Sequence, residues 1–440
     1  MREGFDRSPL RRVAAECKEP IAHLLLKALD MISEHYQRSI TLLAVNPNSL
    51  SVVKSALRSA KRHNAPIILT CTLNQVDLDG GYTTWTQFDF VKVVREEARK
   101  ADFGGPIVIA ADHYGPWLKD KHKAEGLSLD ETMTGVRRSL EACLEAGFDY
   151  IHIDATECPG FSGSMRMTKV VERTLELIEW TEALRKEKGL PRITYEVGTE
   201  EVAGGLSEPD LVSTFLGKLR EAMTAKGLID VWPSFLVGNI GTNLHTTTFS
   251  IEAARELYGI SRGYGLHLKS HYTDYVARLE DYPKVPIRAA NVGPRFTNAE
   301  FDCLRRLAST EAGLMSANES RKPSNLSQEL TKTVVDSGRW KKWLQESEVG
   351  NDFSQLQEDR QLWLLRTGSR YIWMSPSVVT ERAKLYDNLR AQGIDAEEEV
   401  LRSIDEAMDR FFGAFNLSNS WPEITNVLES RFTLDQGDSE

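Results

Sequence analysis

Asp112-His113 closes the stretch Pro106 to Pro116, a run of small and β-branched residues that stops at Gly115-Pro116 and leaves a carboxylate beside an imidazole. Polar and ionisable residues recur at comparable stops along the chain. They are Asn74-Gln75, Asp154 with Thr156, Glu196 with Gly198-Thr199-Glu200, Asn239 followed by His245, His271 with Asp274, and Asn291-Gly293-Arg295. The imidazoles of His113, His245 and His271 with the carboxylate of Glu196 have the donor chemistry of a divalent transition-metal site that keeps positions open for a substrate. Zinc suits such a set first, with manganese, cobalt or nickel as alternatives. Asp112, Asp154 and Glu196 are the candidate catalytic groups for proton transfer, because desolvation beside a cation sets carboxylate pKa values apart. Capping or ligand roles compete with proton transfer for each. His152 shares strand parity with Asp154, and His267 shares it with Lys269 and His271, so both can point inward behind the ligands.

Two segments are candidate anion holders. The loop Val292 to Thr297 leads into a helix, where its amides and Arg295 can meet a phosphate. Arg366-Thr367-Gly368-Ser369-Arg370 is the second, through Ser369 and Arg370. Asn74, Gln75, Glu200, Asp274, Asn291 and Gly293 complete the expected substrate contacts.

To bring these residues together the chain needs strands that all end on one face. Strands are expected at Ser39–Val45, Pro66–Thr72, Pro106–His113, Tyr150–Thr156, Arg192–Thr199, Val231–Asn239, Tyr264–His271 and Ile287–Val292. Helices alternate with them, opened by capping boxes such as Ser128-Leu129-Asp130-Glu131 and closed by glycines such as Gly147. Eight units in about 280 residues match an α/β fold of the (β/α)8 TIM-barrel type. No Gly-x-Gly-x-x-Gly follows the first strand, which speaks against an open dinucleotide-binding sheet. The expected organisation is a helical lead over 1–36, a barrel over 37–315 and a helical extension over 316–440 with Trp340, Trp343, Trp363 and Trp373. Within the barrel, helices are expected over Ser207–Lys226 with a Ser-x-x-Asp start and over Thr297–Met315, with a short one through Tyr275 to Leu279.

Composition sets the outer bounds. At 440 residues with 41% hydrophobic and 27% charged side chains, the chain reads as globular, and its net charge of −10 gives no reason to expect nucleic acid or an anionic membrane as partner. The five scattered cysteines form no Cys-x-x-Cys pair and imply neither a disulfide framework nor a structural zinc. The charged start lacks a signal-peptide core and no apolar run reaches membrane-span length, so a cytoplasmic location and a homo-oligomer are expected.

These motifs in this order resemble the GatZ/KbaZ family, the non-catalytic subunit of class II D-tagatose-1,6-bisphosphate aldolase. The carriers are Asn74-Gln75-Val76 with Gly80-Gly81-Tyr82-Thr83, and Asp112-His113-x-Gly115-Pro116. They continue through Ala146-Gly147-Phe148 to Ile151-His152-Ile153-Asp154-Ala155, then Gly198-Thr199-Glu200, His271-x-Thr273-Asp274-Tyr275 and Val292-Gly293-Pro294. The resemblance implies a TIM barrel related to class II aldolases, with Asp112-His113 at the zinc. It also implies two activity classes. Some members act alone as 4-epimerases between D-tagatose 6-phosphate and D-fructose 6-phosphate; others support a separate aldolase chain. Where members read Ala-His-Ser-Thr-Asp-Tyr this chain has Ser270-His271-Tyr272-Thr273-Asp274-Tyr275. Where they read Ser-Asp-Arg-x-Arg-Tyr-Tyr-Trp it has Arg366 to Trp373 with Gly368 at the first arginine. Both changes bear on the sugar and its phosphate. Inverting the carbon two places from a ketone cannot proceed by simple enolisation, whereas breaking and re-forming the C3–C4 bond can, and a divalent metal stabilises the enediolate. The expected function is therefore a metal-dependent ketohexose (phosphate) 4-epimerase, with the aldolase subunit as alternative.

Overall fold

Eight short buried segments, most of them rich in apolar residues, form strands flanked by turn residues that limit their length. They are β1 Leu42–Val45, β2 Ile67–Thr72, β3 Ile107–Tyr114, β4 Tyr150–Ile153, β5 Thr194–Gly198, β6 Phe235–Val237, β7 His267–Ser270 and β8 Ala289–Val292. In the computed structural model, which describes residues 9–199, 206–245, 247–316 and 321–437, all pair in parallel in chain order and β8 closes on β1 through Leu42↔Ala289 to Val45↔Val292. Glu200 lies outside the described residues. The fold is a (β/α)8 barrel.

The helices are α1 Pro9–Cys17, α2 Ile21–Tyr36, α3 Leu50–Arg62, α4 Gln87–Lys100, α5 Asp120–Ala124, α6 Leu129–Ala146, α7 Gly163–Glu187 and α8 Pro209–Ala225. They continue as α9 Ile251–Gly263, α10 Asp281–Lys284, α11 Pro294–Ser316, α12 Leu326–Asp336, α13 Glu358–Ser369, α14 Pro376–Arg390, α15 Ala396–Ala414 and α16 Ser420–Gly437. The Ser128/Glu131 capping box opens α6 as the spacing predicts, and Gly147 at φ 94° closes it. Among the described residues no helix is long and apolar enough to cross a membrane.

Three local expectations are corrected. Ser207 does not cap α8, whose N-cap is Glu208; its hydroxyl instead accepts from Asn239 N at 2.7 Å, tying the loop after β5 to that after β6. Tyr275 to Leu279 forms turns, and the only helix between β7 and β8 is α10, because Thr273 N is drawn to Asn291 O at 3.2 Å and Ala277 N to Thr247 O at 2.8 Å. Helix α11 starts at Pro294, before Thr297, with the proline at a position where its missing N–H costs nothing.

The bottom of the barrel is sealed by α2. Its Asp30 accepts from Arg288 Nη2 at 2.8 Å and from His267 Nε2 at 2.9 Å, which places His267 at the barrel floor, away from the mouth. The segment after α11 packs outside the barrel: α15 lies on α3 and α11, with Arg58 bridging to Glu398 at 2.7 Å and Lys54 to Glu397 at 2.5 Å. One hydrophobic core runs from α1 through the strands into α15 and α16. Between α12 and α13, and after α13, this segment returns to the mouth with Trp343 and Arg370.

Candidate active site

Strand register decides which side chains meet at the top of the barrel. His152 pairs with Glu196 across β4 and β5, Asp112 of β3 lies beside Thr72 at the end of β2, and Asn291 of β8 pairs with Ala44. At the end of β3 the register to β4 slips between Ala111 and Tyr114, and His113 sits there at φ 54°. Tyr272, next to His271, has φ 55°. Left-handed backbone is uncommon outside glycine, and the His113 and His271 rings meet edge to face with centroids 4.8 Å apart.

Asp112, His113, His152 and His271 converge so that one ligand atom from each lies within 4.8 Å of all the others. Asp112 Oδ1 is 3.2 Å from His152 Nδ1, 3.6 Å from His271 Nε2 and 3.9 Å from His113 Nε2. Its other oxygen accepts from Asn291 Nδ2 at 3.0 Å. Glu196 Oε1 reaches the same space, 3.4 Å from His271 Nε2 and 3.5 Å from His152 Nδ1, and is buried without a well-formed hydrogen bond. Glu196 Oε2 accepts from Lys269 Nζ at 2.6 Å, and both side chains are fully enclosed.

The electrostatics follow from this packing. Burial alone would raise the Asp112 carboxyl, yet His113 and His271 beside it hold it well below the usual carboxylate range. Burial likewise works against ionisation of Glu196, but Lys269, then His152 and His271, bring it down to about 2. His113 is raised, because Asp112 and the Asp154 hydrogen bond outweigh its burial. These directions describe a pocket built for positive charge.

Three imidazoles and one or two carboxylate oxygens suit zinc or a similar ion, and the exposed lone pair of Glu196 Oε1 fits the same donor set. Asp154 supports it from behind: Oδ2 bonds His113 Nδ1 at 2.6 Å, so His113 offers Nε2 to the centre, while Oδ1 accepts from Thr156 Oγ1 at 2.6 Å and Thr156 N at 3.0 Å. Both oxygens of Asp154, a residue expected to transfer protons, are thus engaged by His113 and Thr156.

His245 is a correction to the expected ligand set. It stacks on Trp363 with ring centroids 4.6 Å apart and lines a neighbouring cavity with Arg166 and Trp343. It follows β6 by eight residues, and that loop carries it outward; its place beside His113 and His271 is taken by His152, which sits on the strand itself.

The expected substrate contacts divide. The mouth is a cavity of about 170 Å³ bordered by Asp112, His113, His271, Asn291, Tyr272 and Arg370, and Asn74, Gln75, Asp274 and Gly293 also line it. Asn74 and Gln75 do so with their amides engaged elsewhere, Asn74 Nδ2 on Leu118 O at 3.0 Å and Gln75 Nε2 on Pro47 O at 3.3 Å. Asp274 Oδ1 accepts from Gly293 N and Arg295 N, both at 2.9 Å. The amides expected to hold an anion at the start of α11 thus already hold one, and the Arg295 side chain turns to a separate small cavity with Arg410. Ser369 is buried with its hydroxyl donating to Arg366 O at 2.7 Å, so it faces its own helix and not the mouth.

Arg370 does face the mouth, with Lys342 also on its border. Its Nε and Nη2 are buried without a hydrogen-bond partner, and its guanidinium lies 4.6 Å from the Trp343 ring centroid and 5.0 Å from that of Tyr371. Buried guanidinium groups are normally paired, so its open donors mark a place for an anion. Tyr82 and Tyr371, which border this part of the mouth, lie in the stretches Gly80–Thr83 and Arg366–Trp373 that bear on the family resemblance, whereas Lys342 and Trp343 belong to no functional motif and are found by their place in space alone.

The profile of the family described as D-tagatose-1,6-bisphosphate aldolase subunit GatZ/KbaZ-like matches residues 29–403. A D-tagatose 6-phosphate 4-epimerase of Agrobacterium fabrum is 28% identical over 281 residues, 58% of this chain and 64% of that protein, so the chain spans just under two thirds of that relative's length. A crystal structure of a probable tagatose 6 phosphate kinase from Sinorhizobium meliloti 1021 superposes with a TM-score of 0.69 at 22% identity, over 85% of this chain and 100% of the other, a likeness of fold.

Proposed function

Because the chain belongs to the GatZ/KbaZ-like family of D-tagatose-1,6-bisphosphate aldolase subunits, we propose that it is itself an enzyme, a metal-dependent 4-epimerase that interconverts D-tagatose 6-phosphate and D-fructose 6-phosphate. The observation that carries this reading is the convergence of Asp112, His113, His152 and His271 at the barrel mouth. A chain that only supports a partner aldolase has no use for such a cluster, nor for the open guanidinium beside it. The 4-epimerase relative points the same way.

His113, His152 and His271 would hold the ion, with Glu196 Oε1 or Asp112 Oδ1 completing the set. Bound there, a divalent metal, zinc first, supplies Lewis-acid stabilisation of negative charge on the oxygens at C2 and C3. The protein's own groups do the rest. Arg370 takes the phosphate by charge-assisted hydrogen bonds and fixes the far end of the chain of carbons. Asp112 is the carboxylate that both borders the mouth and touches the cluster. It accepts the C4 hydroxyl proton as the C3–C4 bond breaks, and returns it after the aldehyde has turned and the bond has re-formed. Asn291 keeps Asp112 in place through this cycle. The partners on this reading are a sugar phosphate and a second copy of the chain, in the cytoplasm.

The test is incubation of the purified protein alone with D-tagatose 6-phosphate and zinc, manganese, cobalt or nickel in heavy water. Fructose 6-phosphate with no deuterium at C4 is expected, since that hydrogen travels with the aldehyde fragment. Deuterium at C4 overturns bond cleavage in favour of direct deprotonation. Released triose identifies an aldolase, and product only after adding an aldolase chain establishes the subunit reading.

A further inference from the structure

Directly beneath the cluster, a layer of the barrel interior that branched apolar side chains usually fill holds Lys269, Glu196 and Tyr150. All three are buried with relative exposures of 0%. Lys269 Nζ donates to Glu196 Oε2 at 2.6 Å and to Tyr150 Oη at 3.1 Å, and lies 5.3 Å from the Tyr150 ring centroid. Register sets the arrangement: Glu196 pairs with His152 on one side and Phe235 on the other, and Lys269 lies two residues before His271 on β7, on the same inward face.

Stability gives little reason for this pair. Enclosing two ions costs about as much as their attraction returns, and well-packed apolar residues of the same volume commonly do as well or better. What the pair does accomplish is geometric. A carboxylate left alone can rotate and offer both oxygens to a cation; here one oxygen is held by the lysine, and the other lies 3.4 Å from His271 Nε2 and 3.5 Å from His152 Nδ1.

We propose that Lys269 is a positioning residue for the reaction: held by Tyr150, it grips Glu196 Oε2 so that Oε1 alone is offered to the space between His152, His271 and Asp112. This rests on the reading of that space as a metal site. One-oxygen presentation leaves the mouth side of the cluster to the substrate, whereas a released Glu196 would crowd it. The lysine is not placed as a nucleophile, since both contacts of Nζ lie in the enclosed layer and it does not border the mouth.

The experiment compares wild type, Lys269→Met and Tyr150→Phe, each stripped of metal, titrated with Co(II) and followed by visible absorption, with kcat and KM measured on the reloaded proteins and crystal structures of the metal-free forms. In Lys269→Met the cobalt bands should change in intensity and position, and kcat should fall about tenfold or more, with KM within about threefold. Tyr150→Phe should shift the bands in the same direction with a smaller loss of kcat. It decides the matter should Lys269→Met fail to fold. Cobalt spectra superposable on wild type with kcat within about twofold in the folded variants would overturn the proposal. If wild type takes up no cobalt, it is the metal-site reading that has failed. The crystal structures then judge positioning by themselves: a Glu196 carboxylate turned away from its wild-type position supports it, and one left in place ends it.

Discussion

At the scale of single residues the proposed function separates groups that would touch the reacting centre from groups that would hold them. His113, His152 and His271 belong to the first kind. Replacing any one by alanine should remove bound metal and lower kcat by about a thousandfold or more while costing little stability, because strand-end side chains at a barrel mouth are not part of the packed core. Metal analysis beside a melting curve checks this, and a full equivalent of metal in all three variants would refute the cluster. Asp154 belongs to the second kind. Asp154→Asn should weaken metal binding about ten- to a hundredfold by loosening His113, a loss visible by calorimetric titration. Arg370→Met addresses the anion. It should raise KM for the sugar phosphate by about tenfold to a hundredfold, the equivalent of one or two charge-assisted hydrogen bonds, with a smaller change in kcat. Inorganic phosphate should raise the melting temperature of wild type and leave that of Arg370→Met unchanged.

At the scale of elements, α2 is fastened under the barrel by Asp30, whose side chain is 23% exposed and is shared by Arg288 and His267. Burial pushes its carboxyl up, but the His267 and Arg288 contacts win and hold it well below the ordinary range. A carboxyl depressed in the folded state adds stability at every pH above its unfolded value near 3.9, and loses it only as pH falls through the lower folded value. Asp30→Asn should therefore cost about 2 kcal/mol at pH 7, a figure reduced for the partial exposure of the group. The gap from wild type should narrow only below about pH 4. Urea unfolding at pH 7, 5 and 3 measures it; a gap already lost at pH 5 would show that the Asp30 carboxyl is not held down, and a gap unchanged at pH 3 that Asp30 contributes by shape and not by charge.

At the scale of the molecule, the segment after α11 is part of the same body as the barrel. Its α15 covers α3 and α11, and Thr41 N at the start of the barrel donates to Phe415 O at 3.1 Å. A shared core predicts one cooperative transition. Calorimetry and circular dichroism should give coincident unfolding, and a chain ended at Ser316 should fail to fold as a soluble monomer. A separate early transition would instead mark the C-terminal helices as an independent unit. Because Arg370 and Trp343 come from this segment, losing it should also remove the anion-binding side of the mouth.

The sequence by itself determined the architecture. Most of the strands stand where short runs rich in apolar residues end in Gly, Pro, Asn or Asp, and α3, α4 and α6 start at Ser49, Thr86 and Ser128, because burial and capping are local properties written in neighbouring residues. It also determined most of the ring at the mouth, since a strand that ends on a given face carries its last side chains there. Tertiary structure decided what loops and packing control. Asp274 and His245 both sit beyond strand ends, yet one folds back onto the amides of Gly293 and Arg295 while the other is drawn out to Trp363. No periodicity distinguishes them. His152 entered the cluster because β4 is only four residues long and pairs in register with Glu196, which puts its third residue at the mouth. Arg370 stood in the stretch Arg366 to Arg370 expected to hold an anion, but that it and not Ser369 reaches the mouth was decided by the return of a helix distant in sequence, a long-range packing choice of the whole hydrophobic core.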